Sequence, residues 1–346
     1  MNPAAQIAPT DVPLAVVIPA FRRRHLRETL ASFAAQTDRR FHLYVADDGS
    51  PESLAEVVEP FHAALALTYR RFDDNLGIPG LVRHWQRAIA LTREPWLWLF
   101  SDDDVAAPDC VAAVLRQLGE QPPPLLRFDV EFIDDASRPL RREAPFPDRL
   151  AAVDYARRLL ERRRDPCMIQ NVVFSRAAYE AGGGFTPTIG GYCADYATWP
   201  RFARGGGIRR LRGGGVRFRY HDDSVGAHVG FYGDRRTAVE SYRDTLRALR
   251  LVAGPAEAAR ADWRRAELGW FAHWFRYLPR PLRPDERIFV AAVMAELWPR
   301  HSWARLWHFE SNYVRVRVRE VARRHPRLDA LRAWIARRSG RRGSTP

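Results

Sequence analysis

The sequence predicts an α/β protein built on a mostly parallel sheet with flanking helices, followed by a helical C-terminal region. Three observations lead there. Short apolar runs alternate with helically spaced segments over the first hundred residues, and the connections between them are short. Two acidic clusters stand directly after predicted strands, where open α/β sheets bind their ligands. Beyond Asp234 the strand signals thin out, and apolar and Arg residues recur at helical spacing.

Leu14-Ala15-Val16-Val17-Ile18, ended by Pro19, predicts a strand buried on both faces. Arg22 to Gln36 follows as a helix, with Leu26, Leu30 and Phe33 on one side. Phe41 to Ala46 predicts a second strand, stopped by Asp47-Asp48-Gly49-Ser50-Pro51. Leu54 to Phe61 and Leu81 to Leu91 read as helices, and Leu65 to Arg71 and Trp96 to Phe100 as strands. Pro122-Pro123-Pro124 interrupts the chain before a strand-like run from Leu125 to Ile133. A helix over Leu150 to Arg163 and a strand over Met168 to Phe174 come next. Two glycine clusters, Gly182-Gly183-Gly184 and Gly190-Gly191, then lead to Tyr192-Cys193-Ala194-Asp195, and Val216 to Tyr220 reads as a strand before His221. Val314 to Arg319 alternates like a strand between helical patterns. The domain boundaries this implies are an extension over 1–13, an α/β domain over 14–233, a basic Trp-rich helical region over 234–340 and a tail over 341–346.

The 346 residues suffice for a large core, and 46% hydrophobic with 12% aromatic residues is a globular composition. All 55 basic residues are Arg, which together with the Ala, Gly and Pro content points to a GC-rich, bacterial coding sequence. A net charge of +14 fits an anionic membrane surface or a phosphorylated substrate; nucleic-acid binding has the charge but no motif. Cys110, Cys167 and Cys193 form no paired spacing, so a disulfide framework or zinc site is not expected, and a reducing cytoplasm fits. No leader peptide is visible in Met1 to Pro13, and no apolar run reaches the roughly 18–20 residues that span a bilayer. The aromatic tail, with Trp263, Trp270, Phe271, Trp274, Trp298, Trp303 and Trp307, fits a helical core or an interfacial surface holding a lipid-linked acceptor.

Ser101-Asp102-Asp103-Asp104 places three carboxylates on one tight turn, where they can converge on a hard cation such as Mg²⁺ or Mn²⁺ with substrate phosphates filling its other positions. Taken alone, the turn equally suits a surface cap for the helix starting near Pro108. Asp47-Asp48-Gly49-Ser50 alone is an ordinary Asx turn. Asp195 alone is an N-cap for the helix containing Trp199 and Phe202. His221 alone is a structural hydrogen-bonding residue.

Order changes this. Val16-Val17-Ile18-Pro19-Ala20-Phe21, Leu30 to Gln36-Thr37, Asp47-Asp48-Gly49-Ser50, Asn75-Leu76-Gly77-Ile78 and Trp98-Leu99-Phe100-Ser101-Asp102-Asp103-Asp104 resemble, in sequence, a family-2 glycosyltransferase of the GT-A fold. The resemblance is close from Leu14 to Leu118 and looser to His221. It implies a nucleotide-sugar-binding half over 14–120 and an acceptor half over 121–233. It further implies nucleotide contacts from Pro19, Ala20, Phe21, Asp47, Asp48, Asn75, Gly77 and Asp102. Asp103 and Asp104 would ligate Mn²⁺ or Mg²⁺, with His221 completing the shell, and Asp195 would be the general base of an inverting transfer. The implied donor is a nucleotide sugar, uridine-linked by family frequency, and the implied acceptor is a glycan or a lipid-linked carrier. The implied location is cytoplasmic, with peripheral membrane contact through the basic Trp-rich region.

Three departures from the family pattern bear on the site. Arg22 stands where the family commonly has Asn, and Ser101 where it has Asp; a third, Ala194, replaces the Glu that usually precedes the base. Two other readings follow. A nucleotidyltransferase on a related fold would need a glycine-rich basic loop after the first strand, and Arg22-Arg23-Arg24 has no glycine. A non-catalytic member binding nucleotide or glycan would accommodate Ser101 and Ala194. A glycosidase also needs two carboxylates but leaves the acidic clusters at the strand ends unexplained.

Overall fold

In the computed structural model, residues 12–161, 167–221, 235–275 and 282–299 are described. The chain runs β1 (Leu14–Ala20), α1 (Leu26–Ala34), β2 (Phe41–Asp47), α2 (Ala55–Val58), β3 (Leu67–Arg71), α3 (Leu81–Ile89) and β4 (Trp96–Leu99). It continues with β5 (Val105–Ala106), α4 (Cys110–Leu118), β6 (Leu125–Arg127), β7 (Val130–Ile133), β8 (Pro139–Arg142), β9 (Arg149–Leu150) and α5 (Ala152–Leu160). Then come β10 (Val172–Ser175), α6 (Arg176–Ala181), α7 (Ala194–Phe202), β11 (Ile208–Arg210) and β12 (Val216–Arg219). The helices α8 (Arg235–Ala258), α9 (Ala261–Phe275) and α10 (Pro284–Leu297) follow.

The main sheet has eight strands in the order β3-β2-β1-β4-β10-β6-β11-β9. Strands β1 to β4 are mutually parallel, β10 runs against β4 and β6, and β9 against β11. The chain works outward from β1 to β3 and then returns to pair β4 with β1, so the topological switch point lies between β1 and β4. β1 explains its own burial: Leu14, Val16 and Ile18 pack into one layer with α1 and α4, while Ala15 and Val17 pack into the other with α3 and α7. A strand that feeds two apolar layers has no face left for polar residues. Each fully buried Val or Ile side chain contributes about 1.5–3 kcal/mol.

A second, four-stranded sheet, β5-β12-β7-β8, was not anticipated from the sequence. The run Leu125 to Ile133, read as one strand, divides between the two sheets: β6 belongs to the first and β7 to the second. The division falls at Phe128-Asp129, where the Asp129 carboxylate accepts from Arg210 Nε at 2.8 Å and the Asp129 carbonyl from Val216 N at 3.1 Å. Two ladders therefore take hold of the chain on either side of these two residues.

The chain divides into two compact units, one of residues 1–228 and 244–270, the other of residues 229–243 and 271–346. Within the first, Glu267 is fully buried and accepts from Arg250 at 2.7 and 2.6 Å and from Trp263 Nε1 at 2.9 Å. Within the second, Tyr242 packs edge-on against Phe271 at 5.9 Å. Trp263, Trp270, Phe271 and Trp298 are all buried, in keeping with a packing role; Trp303, Trp307 and the Val314 to Arg319 alternation lie outside the described residues. No helix among the described residues is long and apolar enough to cross a membrane.

Candidate active site

The β2 end comes first. Gly49 has φ +66°, and a Cβ there would come within 3.2 Å of the Asn75 amide nitrogen, so glycine lets the acidic turn close onto the 74–77 segment. Asp47 is fully buried. Its Oδ1 accepts from Ser50 N at 2.7 Å, and its Oδ2 accepts from Tyr69 OH at 2.6 Å and Arg71 at 3.0 Å. Burial, and then that bond, push the Tyr69 hydroxyl up to about 12. Asp48 holds the neighbouring loop: it accepts from Leu76 N and Gly77 N, each at 3.2 Å, and pairs with Arg87. Asn75 Oδ1 also accepts from Gly77 N, at 2.6 Å.

Arg87 lies flat over Phe72, 4.0 Å from its centroid, and donates to Asp74 at 2.7 Å. His84 fixes the other side. Its Nε2 faces the Ala46 carbonyl at 3.0 Å and must donate, so Nδ1 accepts from Arg87 Nε at 3.0 Å. Burial lowers the His84 pKa and favours this neutral form.

At the switch point the three carboxylates of the β4 turn go three ways. Asp102 Oδ2 reaches back across β1 and accepts from Phe21 N at 2.9 Å and Arg22 N at 3.0 Å. It therefore shapes the loop after Pro19 and Ala20. Burial, then the Asp103 charge, push Asp102 up to about 6. Asp104 turns inward and is fully buried, its Oδ1 accepting from Arg219 N at 2.8 Å. Burial, then Asp103, hold its pKa well above the usual carboxylate range. Asp103 keeps partial exposure, 24% of its side chain, and its Oδ2 meets His221 Nε2 at 2.9 Å. Sequence placed Asp103, Asp104 and His221 together; the structure joins Asp103 to His221 and buries Asp104 against the Arg219 amide.

Arg219, which sequence reasoning passed over, holds this arrangement. Its fully buried guanidinium donates to the Asp103 carbonyl at 2.7 Å, Glu28 at 2.7 Å, Ser137 Oγ at 2.8 Å and the Asp135 carbonyl at 3.0 Å. An Arg on an alternating strand reads as solvent-facing, so no signal in the sequence marked it as buried. His25, at the start of α1, was also missed; its ring lies 5.3 Å from that of His221.

Asp195 opens α7 behind Cys193, a non-glycine residue at φ +57°. Its Oδ1 accepts from Tyr196 N at 2.8 Å, and burial pushes its pKa up to about 7. Burial first, and the Asp195 charge second, raise Cys193 and Cys167 well above the ordinary thiol range. The segment before Asp195 packs on α3: Gly191 sits at φ +69°, and a Cβ there would lie 2.9 Å from Leu81 Cδ2. Asp195 is thus tied to the helix that begins where the Asp48-held loop ends.

Such a sheet, with acidic residues gathered at the carboxyl ends of β2 and β4 on either side of β1, defines an α/β domain with a ligand site at its switch point. The sequence profile of glycosyl transferase family 2 matches residues 15–180, covering β1 to β10. The matched segment is a family-2 glycosyltransferase segment, and the chain is a glycosyltransferase. No curated protein sequence matches it. Its fold is similar to that of S. aureus TarS residues 1–349 crystallised with UDP-GlcNAc, with a TM-score of 0.56, 13% identity, and 91% of this chain and 92% of that one covered. The same segment with UDP gives 0.54, 14%, 91% and 92%. The longer S. aureus TarS structure gives 0.53 and 11%, with 87% of this chain and 55% of that one covered.

Proposed function

We propose that the chain transfers a sugar from a uridine-diphosphate sugar to a hydroxyl of a glycan or lipid-linked acceptor, with inversion and with a divalent cation. The observation that carries this reading is the Asp103–His221 contact beside the switch point, 2.9 Å between Oδ2 and Nε2. The TarS structures of like fold were determined with UDP-GlcNAc and UDP, which supports a uridine-linked donor.

Mn²⁺ or Mg²⁺ suits the residues present. Among the described residues no group of three His, Cys, Asp or Glu converges, so the protein offers a carboxylate oxygen and an imidazole nitrogen. Such cations commonly take one or two carboxylates and fill their remaining positions from substrate phosphates and water. Asp103 and His221 would hold the ion; Asp104, buried against Arg219, would not. When bound, the cation supplies neutralising charge to the diphosphate.

The chain's own residues account for the rest. Asp102 fixes the loop at Phe21 and Arg22, and Asp48 fixes the Leu76–Gly77 loop, forming two backbone walls for the nucleotide in the 14–120 half. Asp195 takes the acceptor proton as the hydroxyl oxygen bonds to the anomeric carbon and the carbon–oxygen bond to the diphosphate breaks. A pKa of about 7 suits that task near neutrality, because a base works best near its operating pH. The acceptor half is 121–233, the reaction faces the cytoplasm, and the basic 234–340 region contacts the membrane surface.

Turnover of a panel of uridine-diphosphate sugars with Mn²⁺ tests this, comparing Asp103→Ala and Asp195→Ala. Unchanged turnover in both removes the mechanism, and release of pyrophosphate would instead mark nucleotidyl transfer.

A further inference from the structure

We infer that His25 is a positioning residue for His221. His25 caps the start of α1, where its carbonyl accepts from Glu28 N at 2.9 Å and Thr29 N at 3.1 Å. Its backbone is therefore fixed. Its side chain is fixed as well, because Nε2 meets Asp135 Oδ1 at 3.0 Å. Asp135 is held in turn by Arg24 at 2.7 Å, and its carbonyl accepts from the buried Arg219 guanidinium at 3.0 Å. An imidazole anchored at both ends cannot swing about its own χ angles without breaking one of these contacts.

That anchored ring is a wall for a second one. The His25 and His221 centroids are 5.3 Å apart with planes tilted by 51°, and the His221 side chain is only 2% exposed. His221 lies two residues beyond the end of β12. Asp103 bonds the tip of the His221 ring, and the anchored His25 ring packs against it. The device spans α1, β12 and the turn between β7 and β8, three elements distant in sequence, and none of its members needs to touch substrate.

Removing the wall while leaving the bond should let the His221 ring sample other orientations. Misplacement of a reacting group by about 1 Å can cost up to about 100-fold in rate, so a loss of about tenfold in kcat is expected for His25→Ala, with KM for the nucleotide sugar changed less than about twofold. His25→Gln, whose side-chain amide reaches Asp135 in the place of Nε2, should restore most of the rate.

The activity readout rests on the reading of Asp103 and His221 given above, so a second readout is independent of it. In protein labelled with ¹⁵N at histidine, the His221 ring nitrogens should shift or broaden in His25→Ala with the other assigned histidines unmoved, and return in His25→Gln. A folded His25→Ala with unshifted His221 signals overturns the inference, whether or not any donor is turned over. If His25→Ala does not fold, Asp135→Asn carries the same readout: a moved His221 supports the inference and an unmoved one ends it. If wild-type protein turns over no sugar nucleotide, the proposed function fails and the ring signals still decide the positioning role.

Discussion

Replacing Asp195 with Asn should separate activity from stability in opposite directions. The amide keeps the shape of the side chain and an oxygen to accept from Tyr196 N, a contact of 2.8 Å in the native protein. It removes the charge that burial disfavours. The native carboxylate has its pKa pushed from 3.8 to about 7, a shift of about 3 units, or about 4 kcal/mol at 1.36 kcal/mol per unit. The folded pKa lies above the unfolded one, so the folded state keeps its proton longer. Stability from this group is fully present below about pH 4 and lost as pH rises through about 7. Asp195→Asn should therefore match the wild type near pH 4 and exceed it by up to about 4 kcal/mol at pH 8, with a Tm difference, read by calorimetry, that grows as pH rises. Activity should fall by about 100- to 10,000-fold, the usual contribution of a positioned base. In the wild type, kcat/KM should rise with pH around a midpoint near 7 rather than near 4. A variant less stable than wild type at pH 8, or one with undiminished turnover, refutes the reasoning.

The remaining predictions concern the frame around the site. Asp103→Asn and Asp104→Asn should part company: the first lowers metal-dependent turnover by about 100-fold, while the second, uncharged where burial already favours the protonated acid, leaves it within about threefold. Steady-state kinetics at saturating Mn²⁺ checks this, and equal losses would contradict the division of roles. Gly191→Ala should cost about 1–3 kcal/mol in urea unfolding, because φ is +69° and the new Cβ would sit 2.9 Å from Leu81; a variant as stable as wild type would disprove the close approach. Arg219→Leu should destabilise by about 3–5 kcal/mol, since it strips the buried donors from Glu28 and the Asp103 carbonyl. A folded Arg219→Leu with native Tm would show that those contacts contribute little.

Much of the main sheet was legible because β1, β2 and β4 are apolar runs that obey the rule for a strand buried on both faces. The small sheet was not. β5 has two residues, too few for any period, and Leu125 to Ile133 has the same apolar pattern whether it enters one sheet or two. The candidate site was legible as a set of positions but not as a set of roles. Asp102, Asp103 and Asp104 are chemically identical, and only the folded path turns the first to the β1 loop, the second to His221 and the third to Arg219 N. His25 and Arg219 act through residues more than a hundred positions away, His221 and Glu28 among them, and no local pattern encodes such pairs.

Calorimetric titration of UDP into the protein, with Mn²⁺ and with EDTA, tests most directly whether Asp103 anchors a metal-borne nucleoside diphosphate. Binding with Mn²⁺ that weakens at least about tenfold in EDTA, and equally in Asp103→Asn, is the predicted result. Identical affinities with and without Mn²⁺, in wild type and variant alike, would contradict it.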